Sequence, residues 1–255
     1  MAIPLWLDHA SIAVPDLAAA VERLDERLGL RATVSPAAPE RHSRVYLDRS
    51  YLEVSVGPTS ADHWQATMFF LRFEDPVVLR AHLDAAAIAY RFDEYGGVDG
   101  TWDDIETGVV DPSLSTLIRR TAPPDVARDW PPALAEPHRC GARSLAQVHV
   151  EVSALDEAAQ GYRRLLGSAE AVASEPERVR VGLASGELVL HEGDSDAIVG
   201  VVLGVPSLDA TRAALGGLLG PSEQGVAWVD PAETFGLRLG FTERERDLGP
   251  QALET

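Results

Sequence analysis

Four times along this chain a run of strand-like alternation passes directly into a helix cap, and this recurrence limits the folds open to it more than any other feature. The first case spans residues 7–17, LDHASIAVPDL. By the two-residue period of a strand it splits into Asp8, Ala10, Ile12 and Val14 on one face and Leu7, His9, Ser11 and Ala13 on the other. The first set suits a face covered by a helix, so His9 is expected to look away from it. Asp16 stands where a capping side chain is needed, Leu17, Ala20, Val21, Leu24 and Leu28 keep the helical period, and Gly29 fits a left-handed stop. A second opening, residues 67–73, meets Asp75-Pro76, a cap followed by a residue suited to the first helical position. The third, residues 145–152, alternates Val148, Val150 and Val152 with Gln147, His149 and Glu151, then enters a helix near residues 156–166 that stops at Gly167. The fourth, residues 198–205, is capped by Ser207.

Strand-like stretches follow each helix. They are expected at 42–47 and 51–56 after a Pro- and Ala-rich loop at 34–40, and at 90–95, 102–107 and 114–120 around a Gly96-Gly97 turn. Later ones fall at 179–183 and 187–191, and at 226–229 and 237–241. The unit is a βαβββ module, and Asp75 follows Asp16 by 59 residues (75 minus 16), the kind of period a duplicated unit leaves. Between residues 121 and 144 the pattern breaks. Pro123, Pro124, Pro131, Pro132 and Pro137 deny that stretch regular hydrogen-bonded structure. The expected organisation is α+β: modules one and two in residues 1–122, a Pro-rich linker at 123–143, and modules three and four in residues 144–255.

Taken together, LDH, IAVPDL and LDERLGL, followed by RHSRVYL and YLEVSV, resemble the vicinal-oxygen-chelate superfamily and within it the glyoxalase-like group. The resemblance implies that modules pair into cup-shaped mixed sheets with helices outside, two cups in all. It also implies a divalent metal held by His, Gln or Glu from first and last strands, and no nucleotide cofactor. On that pattern His9 and Glu53 fall on ligand positions of the first cup, and the strand at 42–47 adds His42. Two imidazoles and a carboxylate suit zinc, iron, manganese, cobalt or nickel, with positions left for substrate oxygens. The corresponding positions carry Met68 and Ile118 in module two, Gln147 and His191 in module three, and Gly200 and Gly240 in module four.

Glu53, Asp104 and Glu106 are the candidate catalytic carboxylates, the last two sharing a strand face with Trp102. Arg44 is the candidate grip for a substrate carboxylate, and Tyr46, Tyr51, Phe70 and Trp102 are candidate walls of a pocket. His63, His82 and His138 receive no role. Two functions remain open. One is a metal-assisted isomerase, lyase or dioxygenase acting on a small oxygenated metabolite in the first cup. The other is a metal-free protein that binds or sequesters a small molecule, as bleomycin-resistance proteins do.

Composition removes other classes. With 22 basic against 40 acidic residues the formal charge is −18, which opposes nucleic acid and anionic membranes as partners. No apolar run is long enough to span a bilayer and no basic, apolar leader opens the chain, so a cytoplasmic location is expected. The single cysteine, Cys140, cannot form an internal disulfide and lacks the setting of a nucleophile. A small-molecule partner is expected, and a homodimer that exchanges modules stays open.

Overall fold

The helix caps anticipated at Asp16, Asp75 and Ser207 all form, and each converts an arriving strand into a helix. Asp16 accepts the amide of Ala19 at 3.0 Å, Asp75 accepts those of Val77 and Val78 at 2.8 and 3.1 Å, and Ser207 accepts that of Ala210 at 3.3 Å. The third helix has no side-chain cap. It carries Asp156 and Glu157 in its first turn and ends on Gly167 at φ 63°, a left-handed conformation glycine adopts without strain.

The structure, a computed structural model, describes residues 2–34, 41–59, 63–97, 100–109, 114–121 and 136–244. Module one is β1 (Trp6–Val14), α1 (Leu17–Glu26), β2 (Thr33–Val34), β3 (His42–Tyr46) and β4 (Tyr51–Val56). Module two is β5 (Gln65–Arg72), α2 (Pro76–Ala85), β6 (Tyr90–Gly97), β7 (Gly100–Thr107) and β8 (Ser115–Thr121). Module three is β9 (Ser144–Val152), α3 (Leu155–Leu166), β10 (Val172–Glu175), β11 (Arg178–Gly182) and β12 (Glu187–Glu192). Module four is β13 (Ala197–Val205), α4 (Leu208–Leu215), β14 (Leu219–Glu223), β15 (Val226–Val229) and β16 (Leu239–Glu243), with a 3-10 turn at Pro231–Thr234.

Two eight-stranded mixed sheets result, in the same order: β2-β3-β4-β1-β5-β8-β7-β6 and β10-β11-β12-β9-β13-β16-β15-β14. In each, the first strands of two modules run antiparallel at the centre, β1 with β5 and β9 with β13. Both sheets are therefore completed inside one chain. Three edge strands, β2, β10 and β14, were not expected, and Val34, assigned above to the loop, lies in β2. Residues 35–40 of that loop, residue 122 and residues 123–135 of the expected linker lie outside the described residues.

The face assignment on β1 needs correction. Opposite β5 the register slips between Leu7 and His9, so Asp8 is an extra residue in a β-bulge. The apolar sets on either side are out of phase by one: Leu5 and Leu7 belong to the same buried core as Ala10, Ile12 and Val14. Asp8 is thereby released from the core-facing set and pairs with His9. A matching slip on β9, between Leu145 and Gln147, makes Ala146 the extra residue there.

One contiguous apolar core takes in residues of both sheets and all four helices. The halves are also tied by backbone bonds, Ile3 N–H to Leu166 O at 2.9 Å, Leu7 N–H to Ser185 O at 3.1 Å and Ala184 N–H to Leu5 O at 2.8 Å. Two histidines set aside above turn out to be ties of this kind. His138 is buried. Its Nδ1 accepts the amide of Arg31 at 3.0 Å, which leaves Nε2–H to donate to Tyr46 O at 2.7 Å, and burial first of all holds its pKa below the usual imidazole value. His82 Nε2 meets the last-turn carbonyls of Arg164 and Leu165 in α3 at 2.9 and 3.0 Å. Cys140 is buried too, and its thiol is pushed up to about 11 by that burial.

Candidate functional site: two cups with different rows

Strand register carries one face of the first sheet from edge to edge. Glu53 lies beside Arg44, Ser55 beside His42 and Tyr51 beside both Tyr46 and His9, while His9 lies beside Phe70 and Phe70 beside Thr116. Across the β7–β8 pair, Asp104 faces Ile118 and Trp102 faces Arg120 on the same side. The sequence-derived candidates Arg44, Tyr46, Tyr51, Glu53, Phe70, Trp102, Asp104 and Glu106 thus share the face that holds His9 and His42.

At its centre, His9 is 4% exposed and lies between two rings, Tyr51 at 4.3 Å and Phe70 at 3.8 Å, both within 12° of parallel. Its Nδ1 is 2.9 Å from Asp8 Oδ2, a contact that exists because the bulge turns Asp8 to this side. Burial first, and then the charge of Asp8, raise the Tyr51 phenol well above its ordinary value. Glu53, on the next strand, has other neighbours: Arg44 Nε at 3.6 Å and His42 Nδ1 at 3.8 Å. Arg44 also lies over the Tyr51 ring at 5.2 Å. On the far wall Thr116 donates a short hydrogen bond to Asp104, and Arg91 ties Glu106 and Asp93 at 2.9 and 2.8 Å. Burial first, then Glu106 and Asp93, raise the Asp104 pKa against that hydrogen bond.

The register also identifies equivalent positions. The pairs His9–Phe70 and Ser11–Met68 make His9 the counterpart of Met68 and Ser11 that of Phe70. Glu53 faces Ser11 and Thr116 faces Phe70, so the counterpart of Glu53 is Thr116, one residue pair away from the expected Ile118. In module three β9 follows β1 by 138 residues (147 minus 9), but β11 and β12 follow β3 and β4 by only 136 (180 minus 44, 189 minus 53). Val189, and not His191, therefore matches Glu53. The rows are His9, Glu53, Met68 and Thr116 in the first cup, and Gln147, Val189, Gly200 and Gly240 in the second.

The donor set tests the metal expectation. Among the described residues no group of three or more His, Cys, Asp or Glu side chains could hold a metal ion. In the first cup His42 Nδ1 is buried without a hydrogen-bond partner beside Glu53, a spacing two ligands of one ion could share at about 2 Å each. His9 does not join His42 and Glu53 in one donor set among the described residues. Its Nδ1 bond to Asp8 leaves Nε2 open and is no bar to ligation, but the Arg44 guanidinium already lies against the carboxylate. In the second cup the glycines of the row give way to an aromatic ring. A Cβ on Gly240 would stand 2.8 Å from the Trp228 indole and one on Gly200 would stand 3.3 Å from it. Neither row fits a three-donor metal centre.

The second cup instead holds a polar chain that sequence reading missed. Arg180 grips Glu187 through Nε and Nη2, both at 2.7 Å, and the Gln147 amide donates to Glu187 at 2.7 Å. That fixes Gln147 Oε1 toward His149 Nε2 at 3.0 Å, so Nε2 carries the proton. His149 Nδ1 then accepts from His191 Nε2 at 3.0 Å. Burial first, then His191 and the arginines, push His149 down to about 3, and His191 is lowered for the same reasons. Gln147 and His191 were placed on the ligand rows from the sequence, whereas the one signal for Arg178 and Arg180 was their alternation with valines, which any half-buried strand shows.

Comparison with known proteins agrees with the architecture. Residues 7–166 match a family described as a glyoxalase-like domain. No curated protein matches the sequence. Among solved structures the chain is similar to the Mn(II)-bound glyoxalase from Novosphingobium aromaticivorans, with a TM-score of 0.68 at 12% identity over 98% of this chain and 86% of that one. It is similar to homoprotocatechuate 2,3-dioxygenase from Arthrobacter globiformis, with a TM-score of 0.63 at 15% identity over 95% and 81%. A hypothetical protein from Staphylococcus aureus aligns with a TM-score of 0.62 at 9% identity over 94% and 99%. At these identities the likeness is one of fold.

Proposed function

The chain belongs to the glyoxalase-like domain family of the vicinal-oxygen-chelate superfamily, and from that premise we propose that its first cup recognises a small oxygenated molecule without a metal. The observation that carries this reading is Arg44, whose guanidinium lies 3.6 Å from Glu53, where the family pattern would use that carboxylate to hold an ion. A permanent cation beside the carboxylate supplies the charge an ion would bring, and a second cation there is repelled. The cup then offers a ligand Arg44 and Glu53 on one wall, Asp104 and Thr116 on the other, and Phe70, Tyr46 and Trp102 as apolar sides. Burial raises the Asp104 pKa, and this carboxyl, bonded by Thr116, is the group on that wall placed to exchange a proton with a ligand oxygen.

A second reading keeps the metal-assisted isomerase, lyase or dioxygenase. It is favoured by the orphaned Nδ1 of His42 beside Glu53 and by the likeness in fold to a Mn(II)-bound glyoxalase and a dioxygenase. Titration with catechol and with homoprotocatechuate, in the presence and absence of EDTA, separates the two. The metal-free reading expects an affinity that changes by less than about twofold with chelator and falls at least about tenfold in Arg44→Gln. Binding or turnover abolished by EDTA and restored by Mn(II) would support the second reading.

A further inference from the structure

The second cup encloses a cavity of about 210 Å³ whose walls include Arg178, Arg180, Arg238, His149, His191 and Trp228. We propose that it is a metal-free binding site for a small organic oxyanion, a carboxylate or phosphate of a few carbons whose charged head lies among the three arginines. This goes beyond the reading of the first cup and does not depend on it.

The first argument is charge. The chain as a whole carries −18, yet this cavity is lined by three guanidiniums and a single carboxylate, Glu223. The imidazoles do not alter that balance, since burial and the arginines keep His149 and His191 uncharged near neutral pH. Glu175 and Glu187 offset Arg178 and Arg180 from outside the cavity wall, so the cation without a paired carboxylate among the described residues is Arg238, and a low-dielectric wall strengthens its field.

The second argument is preorganisation. Arg178 is anchored through Nε to Glu175 at 2.5 Å and through Nη1 to Gln224, and Arg180 spends its Nε and Nη2 edge on Glu187. Each still has N–H groups to offer, because a guanidinium carries five donors. Arg238 lies over the Trp228 ring at 4.1 Å, and no carboxylate among the described residues pairs with it. A guanidinium held on an aromatic face, at the mouth of a cavity with two anchored neighbours, is arranged for bidentate contact with an oxyanion. The hydrogen-bond chain from Glu187 through Gln147 and His149 to His191 ends on the His191 Nδ1 lone pair, an acceptor for a ligand hydroxyl.

Size selects the class. The cavity corresponds to the liquid volume of roughly seven waters, below the ~300 Å³ at which drug-sized ligands begin to fit. Short organic acids and phosphate monoesters match it.

The test is calorimetric titration of the full chain with pyruvate, with inorganic phosphate and with neutral acetamide at constant ionic strength, on wild type, Arg238→Gln and Arg44→Gln. Arg238 is exposed and outside the anchoring chain, so its replacement leaves the fold in place. The expected result is saturable binding of pyruvate, phosphate or both, none of acetamide, weakening of at least about tenfold in Arg238→Gln and binding retained in Arg44→Gln, which removes any share that the first cup contributes. Tight pyruvate with weak phosphate would identify a carboxylate site, and the reverse a phosphate site. The proposal is overturned if neither anion binds below about 10 mM, if Arg238→Gln binds like wild type, or if binding is lost in Arg44→Gln. A failure of the first-cup reading leaves these outcomes unchanged.

Discussion

The two cups share a strand order and a bulge at the same place in their first strands, and they differ in what stands on the shared rows. The first retains His9 and Glu53 and answers each with another side chain, Asp8 for the imidazole and Arg44 with His42 for the carboxylate. The second has lost donors at three of four positions, filled the space over its glycines with Trp228, and gathered its charge on Arg178, Arg180 and Arg238. The difference teaches that this fold determines where side chains converge, whereas local neighbours decide whether the convergence can hold a metal, an anion or a neutral molecule.

The largest expected effect comes from removing the centre of the first cup. His9→Ala takes away a ring packed between Tyr51 and Phe70 and leaves the Asp8 carboxylate without its donor. The expected loss is about 2–4 kcal/mol, a fall in Tm of roughly 5–15 °C by thermal unfolding. A His9→Ala protein as stable as wild type would mean that the ring is not part of the packing, and the first cup would then resemble an open ligand shell.

A smaller effect marks the second cup through pH. His149 titrates at about 3 in the folded chain against an ordinary 6.5, so between those values the unfolded chain binds a proton that the folded chain refuses. Stability is therefore present above pH 6.5 and is lost as the pH falls toward 3. At pH 4 the expected cost is at most about 3 kcal/mol, and His191 acts in the same direction. Denaturant unfolding of wild type and His149→Gln at pH 7 and pH 4 checks this. The variant should lose less stability than wild type on acidification, and an equal loss would show that the imidazole is not held uncharged by its surroundings.

Much of the fold was legible because its signals are local. Asp16, Asp75-Pro76 and Ser207 cap helices by their own side chains, and the valines of β9 alternate over a strand buried on one side. The strands β2, β10 and β14 were not legible, since they are short, largely exposed edges with no alternation to read. The bulge at Asp8 did leave a trace, a phase slip between Leu5 and Leu7 and the later set Ala10, Ile12 and Val14, but one extra residue changes no composition. The same kind of slip hid the true counterpart of Glu53. Module three is two residues shorter between its first strand and its last pair, so a constant offset lands on His191 where the ladder places Val189. The residues His9, Glu53, Arg44 and Asp104 could be assigned to one face from the sequence. Their partners could not, because Asp8, Thr116 and the second-cup arginines acquire meaning only from neighbours brought in by other strands.

The central claim is that the first cup answers Glu53 with a guanidinium and not with a metal ion. Elemental analysis of protein purified without chelator, for zinc, iron, manganese, cobalt and nickel, tests it most directly. The account predicts less than about 0.1 ion per chain for every metal, unchanged in Glu53→Gln and His42→Ala. About one ion per chain, lost in both variants, would contradict it.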